Sequence, residues 1–431
     1  MSCRPSRQGV VVVVIGVAIL VVIFQFLQDA KNIDEADASE TKAKDSTTAT
    51  VASSLPLSKN TSSSTIDFSW RKSSRLPNWM KDYFDWHVQE RARLDANPLE
   101  WESFRFLVMR CYKGDNCGGT ADRLKSLPLL VLLAAESKRL LLLKWGNPFD
   151  LEEFLMPHEL NWTVPSEMRH VLASSTVPRR KPPTTVQKLE KFLYANHTIV
   201  GAKLQIPSAF YDTDKWKQSP LTTSITSTRT QSTVTNSDED SRMLFHDLWK
   251  ILFQPSAPVA EMIQHELKAI SSTLNIQLTP GTYIAAHLRA KYPGEPYRDA
   301  QERNNPEKEQ ILQHEVTQAL QCASHLKPKV PIYFAADATQ ATEFVQQQYH
   351  HPTNKRHIAT LQSQRASEVH LAFAKLDDPT GYFPIFVDLW ILGNADCVSY
   401  GRGGFGQLAS LMSYNASCQQ IRSRSSCEWK D

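Results

Sequence analysis

From residue 283 to the C-terminus, short apolar runs alternate with longer segments of helical period. Residues 283–288, 330–336 and 395–400 are apolar runs of strand length, and 357–361 is a shorter one. Between and after them, 306–326, 339–349, 383–393 and 406–413 set apolar side chains three and four apart, which predicts helices. Such alternation predicts a parallel, doubly wound sheet. Upstream, the pattern predicts a helix over 97–110, a glycine turn at 117–123, a helical apolar run over 124–135 and a strand over 139–145. That order is again α/β. A helical stretch over 245–274 carries Leu248, Ile251 and Leu252, then Met262, Ile263, Leu267 and Ile270, at helical spacing.

Two stretches break the pattern. Residues 222–240 are rich in Ser and Thr, lack a hydrophobic period and read as a disordered surface insertion. Residues 28–69 have almost no large apolar side chains until Trp70 and read as a flexible stem. Ahead of the stem, 9–27 is uncharged and dense in Val, Ile and Leu, long enough to cross a bilayer core of ~30 Å. Arg4 and Arg7 precede it, and Asp29, Lys31, Asp34 and Glu35 follow, so the basic excess on the short N-terminal side puts residues 1–8 in the cytosol and the rest in the lumen. The expected organisation is thus a cytosolic tail (1–8), a transmembrane signal-anchor (9–27), a stem (28–69), a first α/β domain (70–265) and a second, nucleotide-sugar-binding domain (266–431). Type II insertion in the Golgi or endoplasmic reticulum membrane follows.

Composition changes the picture in two places. The formal net charge of +3 gives no reason to expect nucleic acid. Of the seven cysteines, Cys3 is on the cytosolic side; the other six suit disulfides in an oxidising compartment, with Cys111–Cys117 and Cys418–Cys427 favoured by closeness. Sequons at Asn60, Asn161, Asn196 and Asn415 agree with luminal exposure. Of the two acidic triplets, the one starting at Asp212 is not preceded by an apolar strand and the one starting at Asp238 lies in the Ser/Thr-rich insertion, so no metal is expected.

Ligands of doubly wound sheets bind beyond the carboxyl ends of the strands. His287, Arg289, Asp337 and the turn 401–406 all fall at such ends. Arg289 can lay its planar fork on a diphosphate and stabilise charge on a leaving nucleotide; the bland alternative is a partner for a carboxylate such as Asp388. His287 either contacts the nucleotide or is a hydrogen-bonded core histidine. Asp337 either takes nucleoside hydroxyls or caps the next helix. Gly403 and Gly404, ahead of Phe405, let backbone approach a phosphate. In the first domain, Gly118 and Gly119 lead into Asp122, a conceivable base or a helix cap, and Arg123, a conceivable second phosphate clamp. The turn does not fit the spacing of a dinucleotide fingerprint.

Ala286-His-Leu-Arg289, Ile332-Tyr-Phe-Ala-Ala-Asp337, Val387–Asp396 and, in the first domain, Cys117-Gly-Gly-Thr-Ala-Asp-Arg-Leu124 with 139–145 resemble the protein O-fucosyltransferase-like group of GT-B fold fucosyltransferases. The resemblance implies two Rossmann-like domains facing a cleft. It also implies metal-independent, inverting transfer from GDP-fucose to a glycan or glycoprotein acceptor, with no cofactor. Arg289 then holds the β-phosphate. The group's last loop often has two serines before an aromatic residue; here that place reads Gly403-Gly404-Phe405, so backbone amides must replace the hydroxyls. The alternative is a catalytically silent, membrane-anchored lectin or scaffold of the same fold.

Overall fold

The structure is a computed structural model that describes residues 67–112, 117–173, 179–180, 199–202, 237–350, 357–361, 377–423 and 427–429. The expected tail and signal-anchor and residues 28–66 of the expected stem lie outside these residues, as do Asn60, Asn196 and the Asp212 triplet; Ser69, the stem's expected last residue, begins the helix Ser69–Lys72. Among the described residues, no helix is long and apolar enough to cross a membrane. From Ile66 onward the chain forms one compact unit, built around two parallel sheets.

The first sheet has the order β2-β1-β5-β4, with β1 at Phe106–Cys111, β2 at Leu140–Trp145, β4 at Arg179–Arg180 and β5 at Ile199–Ala202. Every residue of β1 and β2 is buried, as a parallel sheet covered on both faces requires. Their register pairs Phe106 with Leu140 and Cys111 with Trp145. One cover is the helix Leu127–Glu136, seven of whose residues are buried. Another is the helix Asn78–Ala96, whose Tyr83 hydroxyl donates to the Arg139 carbonyl at 3.0 Å and accepts from the Leu141 amide at 3.2 Å.

The helix expected over 97–110 is not formed. A short 3-10 segment, Pro98–Ser103, leads instead into β1. A helix would give the run Phe106-Leu-Val-Met109 one solvent side, whereas a central strand buries both of its faces. The expected helix over 245–274 is two, Ser237–Leu252 and Ala257–Leu274. Between them β6, Phe253–Pro255, pairs antiparallel with β3, Leu155–Pro157. Pro255 and Pro258 explain the interruption, since proline removes a helical donor. Residues 237–240, expected within the disordered insertion, are the start of the first of these helices.

The second sheet has the order β12-β11-β10-β7-β8-β9. Its strands are β7 (Ile284–Leu288), β8 (Ile332–Ala336), β9 (Ile358–Ala359), β10 (Cys397–Tyr400), β11 (Gln419–Arg422) and β12 (Cys427–Trp429). All pair in parallel except β12. The chain winds from β7 outward to β8 and β9, then returns to the other side of β7 for β10 and β11. The winding therefore reverses between β7 and β10, which is the position where such sheets take ligands.

Three disulfides staple the fold: Cys111–Cys117, Cys322–Cys427 and Cys397–Cys418. The first is the pair expected from closeness. The pairing Cys418–Cys427 is not formed. Val398 faces Gln419 across the β10–β11 ladder, so the preceding residues, Cys397 and Cys418, stand opposite each other. Cys427, on β12, reaches Cys322 in the helix Lys308–Leu326 instead. The hydrophobic core is continuous between the sheets, with Phe154 of the first half stacked on Phe386 of the second at 4.4 Å.

Candidate functional site

The site is built at the carboxyl ends of β7 and β10. Leu288 faces Ala336 in the β7–β8 register, so the next residue on each strand, Arg289 and Asp337, are neighbours. Arg289 Nε lies 3.3 Å from Asp337 Oδ2, and the two side chains remain 24% and 15% exposed. The Lys291 amide lies 3.3 Å from both Asp337 oxygens, which accept from it. Burial pushes the Asp337 carboxyl above its usual range, against the pull of Arg289. Asp337 is not a helix cap: the following helix, Thr339–Tyr349, has Ala338 at its N-cap. Of the two partners expected for Asp388, Arg289 is taken by another carboxylate. Asp388 accepts from the Tyr333 hydroxyl at 2.7 Å in the interior, and strand adjacency gives the arginine to Asp337.

Beyond β10 the chain turns through Gly401-Arg-Gly-Gly404 into the helix Gly404–Met412. Gly403 has φ +93°, a left-handed conformation that favours glycine. A Cβ there would sit 3.3 Å from Arg289 Cγ and 3.6 Å from the Tyr292 ring. On Gly404 it would sit 3.0 Å from Ala121 Cβ and 3.2 Å from Lys125 Nζ. A side chain at Gly403 would therefore press on the arginine stem, and one at Gly404 on the first half of the molecule. The turn and the helix start offer backbone amides at the positive end of a nine-residue helix.

His287 points under this turn. It is buried, its ring lies 5.2 Å from that of Phe405, and a Cβ on Gly406 would sit 2.9 Å from its Nδ1. Of the two roles weighed for it, the geometry is that of a packed interior histidine that supports the turn.

The glycine loop of the first half meets the same turn. Cys111 ends β1, and its disulfide to Cys117 anchors the approach to Gly118. Gly118 has φ +69°, and a Cβ there would lie 2.5 Å from an Asp122 carboxylate oxygen. Asp122 is exposed, and its Oδ2 accepts from the Gly119 amide at 3.0 Å, the capping arrangement. Arg123 turns inward: its guanidinium donates to the carbonyls of Gly118 (3.2 Å) and Asn147 (2.5 Å) and lies 4.7 Å from the Trp145 ring centre. It thus holds the loop rather than facing the turn, and burial lowers its pKa to about 10.

Four features that sequence reasoning did not single out also lie here. Lys125 Nζ donates to Gln407 Oε1 at 2.9 Å and so joins the first-half loop to the second-half helix. Tyr292, 39% exposed, stands beside Gly403. Behind the turn, Glu295 lies between Arg402 at 3.6 Å and Arg422 at 4.0 Å. Burial pushes the Glu315 carboxyl, close by, up to about 7, with Arg422 pulling it down and Glu295 pushing it up. Single residues outside a motif carry no periodic signal, and their neighbours here come from distant parts of the chain. Among the described residues, no cluster of His, Cys, Asp and Glu could hold a metal ion.

Two of the four sequons are described. Asn161 and Asn415 are partly exposed, and each side-chain carbonyl accepts from the hydroxyl two residues on, Thr163 at 2.8 Å and Ser417 at 2.6 Å.

No family model matches the sequence, and no curated protein matches it. Among solved structures, the chain is similar to an arginine-to-lysine mutant of Arabidopsis thaliana FUT1 in complex with GDP, at 14% identity and a TM-score of 0.45, over 82% of this chain and 80% of that one. It is also similar to POFUT1 in complex with GDP-fucose, at 14% identity and a TM-score of 0.31, over 72% of this chain and 94% of that one.

Proposed function

We propose that this chain is a glycosyltransferase that takes its sugar from a GDP-linked donor, GDP-fucose first among them, and transfers it with inversion and without metal to a glycan or glycoprotein hydroxyl. The observation that carries the reading is Arg289, held by Asp337 beside the left-handed Gly403 turn where the winding of the second sheet reverses. A guanidinium fork and free helix-start amides around one glycine turn suit a diphosphate. The choice of a GDP-sugar rests on the motif resemblance.

In this reading the acceptor oxygen forms a bond to C1 of the sugar as the bond from C1 to the β-phosphate oxygen breaks. The leaving GDP gains negative charge, which Arg289 and the turn amides stabilise without giving up a proton. The acceptor proton passes to a carboxylate on the other side of the sugar. Asp122, exposed on the first-half loop, is the candidate, and its bond to the Gly119 amide orients it. Asp337 holds the fork of Arg289. The three disulfides support a luminal location, and the uncharged stretch at 9–27 supports a single-pass anchor in the Golgi or endoplasmic reticulum membrane.

Thermal stabilisation by GDP, UDP and ADP, with chelator present, tests the reading. A ligand at about a hundred times its dissociation constant adds ~2.7 kcal/mol to the folded state. GDP should stabilise the wild type and not Arg289→Ala, with chelator making no difference. A folded wild type stabilised by none of the three would return the chain to the silent-scaffold alternative.

A further inference from the structure

Lys125 lies just past the five-residue helix Thr120–Leu124 of the first half, yet its ammonium group sits on the second. It donates to Gln407 Oε1 at 2.9 Å, and it stands 3.2 Å from the place a Cβ would take on Gly404. Gly404 opens the helix Gly404–Met412, and Gln407 is in its first turn. A cation is therefore held against the end of a helix that already carries positive partial charge. Burial lowers the pKa of Lys125, with the Asp122 carboxylate pulling the other way. Like charge there stands beside like charge in a half-buried position, with the Asp122 carboxylate as a counter-charge.

Arg289 approaches the neighbouring residue of the same turn, its Cγ 3.3 Å from the place of a Cβ on Gly403. The stem of Arg289 and the ammonium of Lys125, one from each half of the molecule, thus lie beside consecutive glycines whose amides are themselves donors. An anion between them reverses the balance, because each positive group then attracts the ligand more than it repels its neighbours.

We propose that Lys125 is a second phosphate-binding side chain of the donor site, supplied by the first half, so that the diphosphate is gripped from both sheets at once. The inference rests on the nucleotide reading above. It predicts that the phosphates, not the nucleoside, tie the two halves together.

The test is binding of GDP and of guanosine to the full chain in detergent, by calorimetry, for wild type, Lys125→Met, Lys125→Gln and Lys125→Arg. A charge-assisted contact contributes about 1.5–3 kcal/mol, so Lys125→Met should weaken GDP by roughly tenfold to a hundredfold. Guanosine affinity should stay within about twofold, and the salt dependence of GDP binding should flatten. Lys125→Arg should retain most of the affinity. Equal weakening of GDP and guanosine would mark Lys125 as a structural residue only and overturn the proposal, as would no change for either ligand. If Lys125→Met does not fold, Lys125→Gln, which keeps a donor for Gln407, decides by the same comparison. A wild type that binds no GDP overturns the nucleotide reading, and this inference with it; a wild type that binds GDP while the variants bind it equally well overturns this inference alone.

Discussion

Arg289 is held by a contact that any shorter or straighter cation would lose. Its Nε is the atom that meets Asp337, which leaves the terminal nitrogens of the fork for a ligand. Arg289→Lys removes that division of labour, since an ammonium cannot bind both partners in the same geometry. The expected result is a fall in kcat/KM of about 10²–10³-fold with little change in Tm, the range seen when a preorganised charge stabiliser is removed. Gly403→Ala tests the turn itself. With φ +93° and ψ 160° the backbone is in a region that essentially only glycine adopts, which costs a side chain about 1–3 kcal/mol, and the new Cβ would crowd Arg289 Cγ, so both Tm and donor affinity should fall. Glu315 gives a pH signature. Its folded pKa, about 7, lies above the usual carboxyl value, so the folded state binds the extra proton. Its contribution is fully present below pH ~4 and is lost as pH rises through about 7. Glu315→Gln should therefore raise Tm at pH 8 and change it little at pH 5; an equal shift at both would contradict the buried-carboxyl account.

At the scale of elements, most of the second sheet was legible because strands and helices alternate with clean apolar periods. Residues 339–349 and 383–393 are helices with the ends the pattern gives. The first half was harder. The run Phe106–Met109 is apolar without alternation, and a run of that kind has no period to separate a buried strand from a buried helix. Partner choice was also beyond the sequence. Arg289 meets Asp337 rather than Asp388 because β8 is the neighbour of β7, and Cys397 meets Cys418 because β10 and β11 lie side by side. Strand order, not spacing along the chain, decides both. The disulfides differ in what they close: the sequence separation is 6 for Cys111–Cys117 and 105 for Cys322–Cys427. Loop-closure entropy then assigns about 2 kcal/mol to the short loop and about 4.7 to the long one. Replacing both cysteines of each pair by serine should lower Tm more for Cys322–Cys427. Loss of the short staple should instead raise the KM for donor, since it anchors the Gly118 loop.

At the scale of the whole molecule, the account requires one place where both halves and the ligand meet. The second sheet reverses its winding between β7 and β10, and the turn that follows β10 abuts Ala121 and Lys125 of the first half. A diphosphate bound there covers the amides of that turn and of the chain just past β7. Amide hydrogen exchange of the full chain in detergent, with and without saturating GDP, reads those amides directly. The account predicts slowed exchange confined to peptides spanning 287–291, 401–407 and 118–125, and less of it with guanosine. Unchanged exchange in 401–407 with GDP demonstrably bound, or protection centred elsewhere, would contradict it.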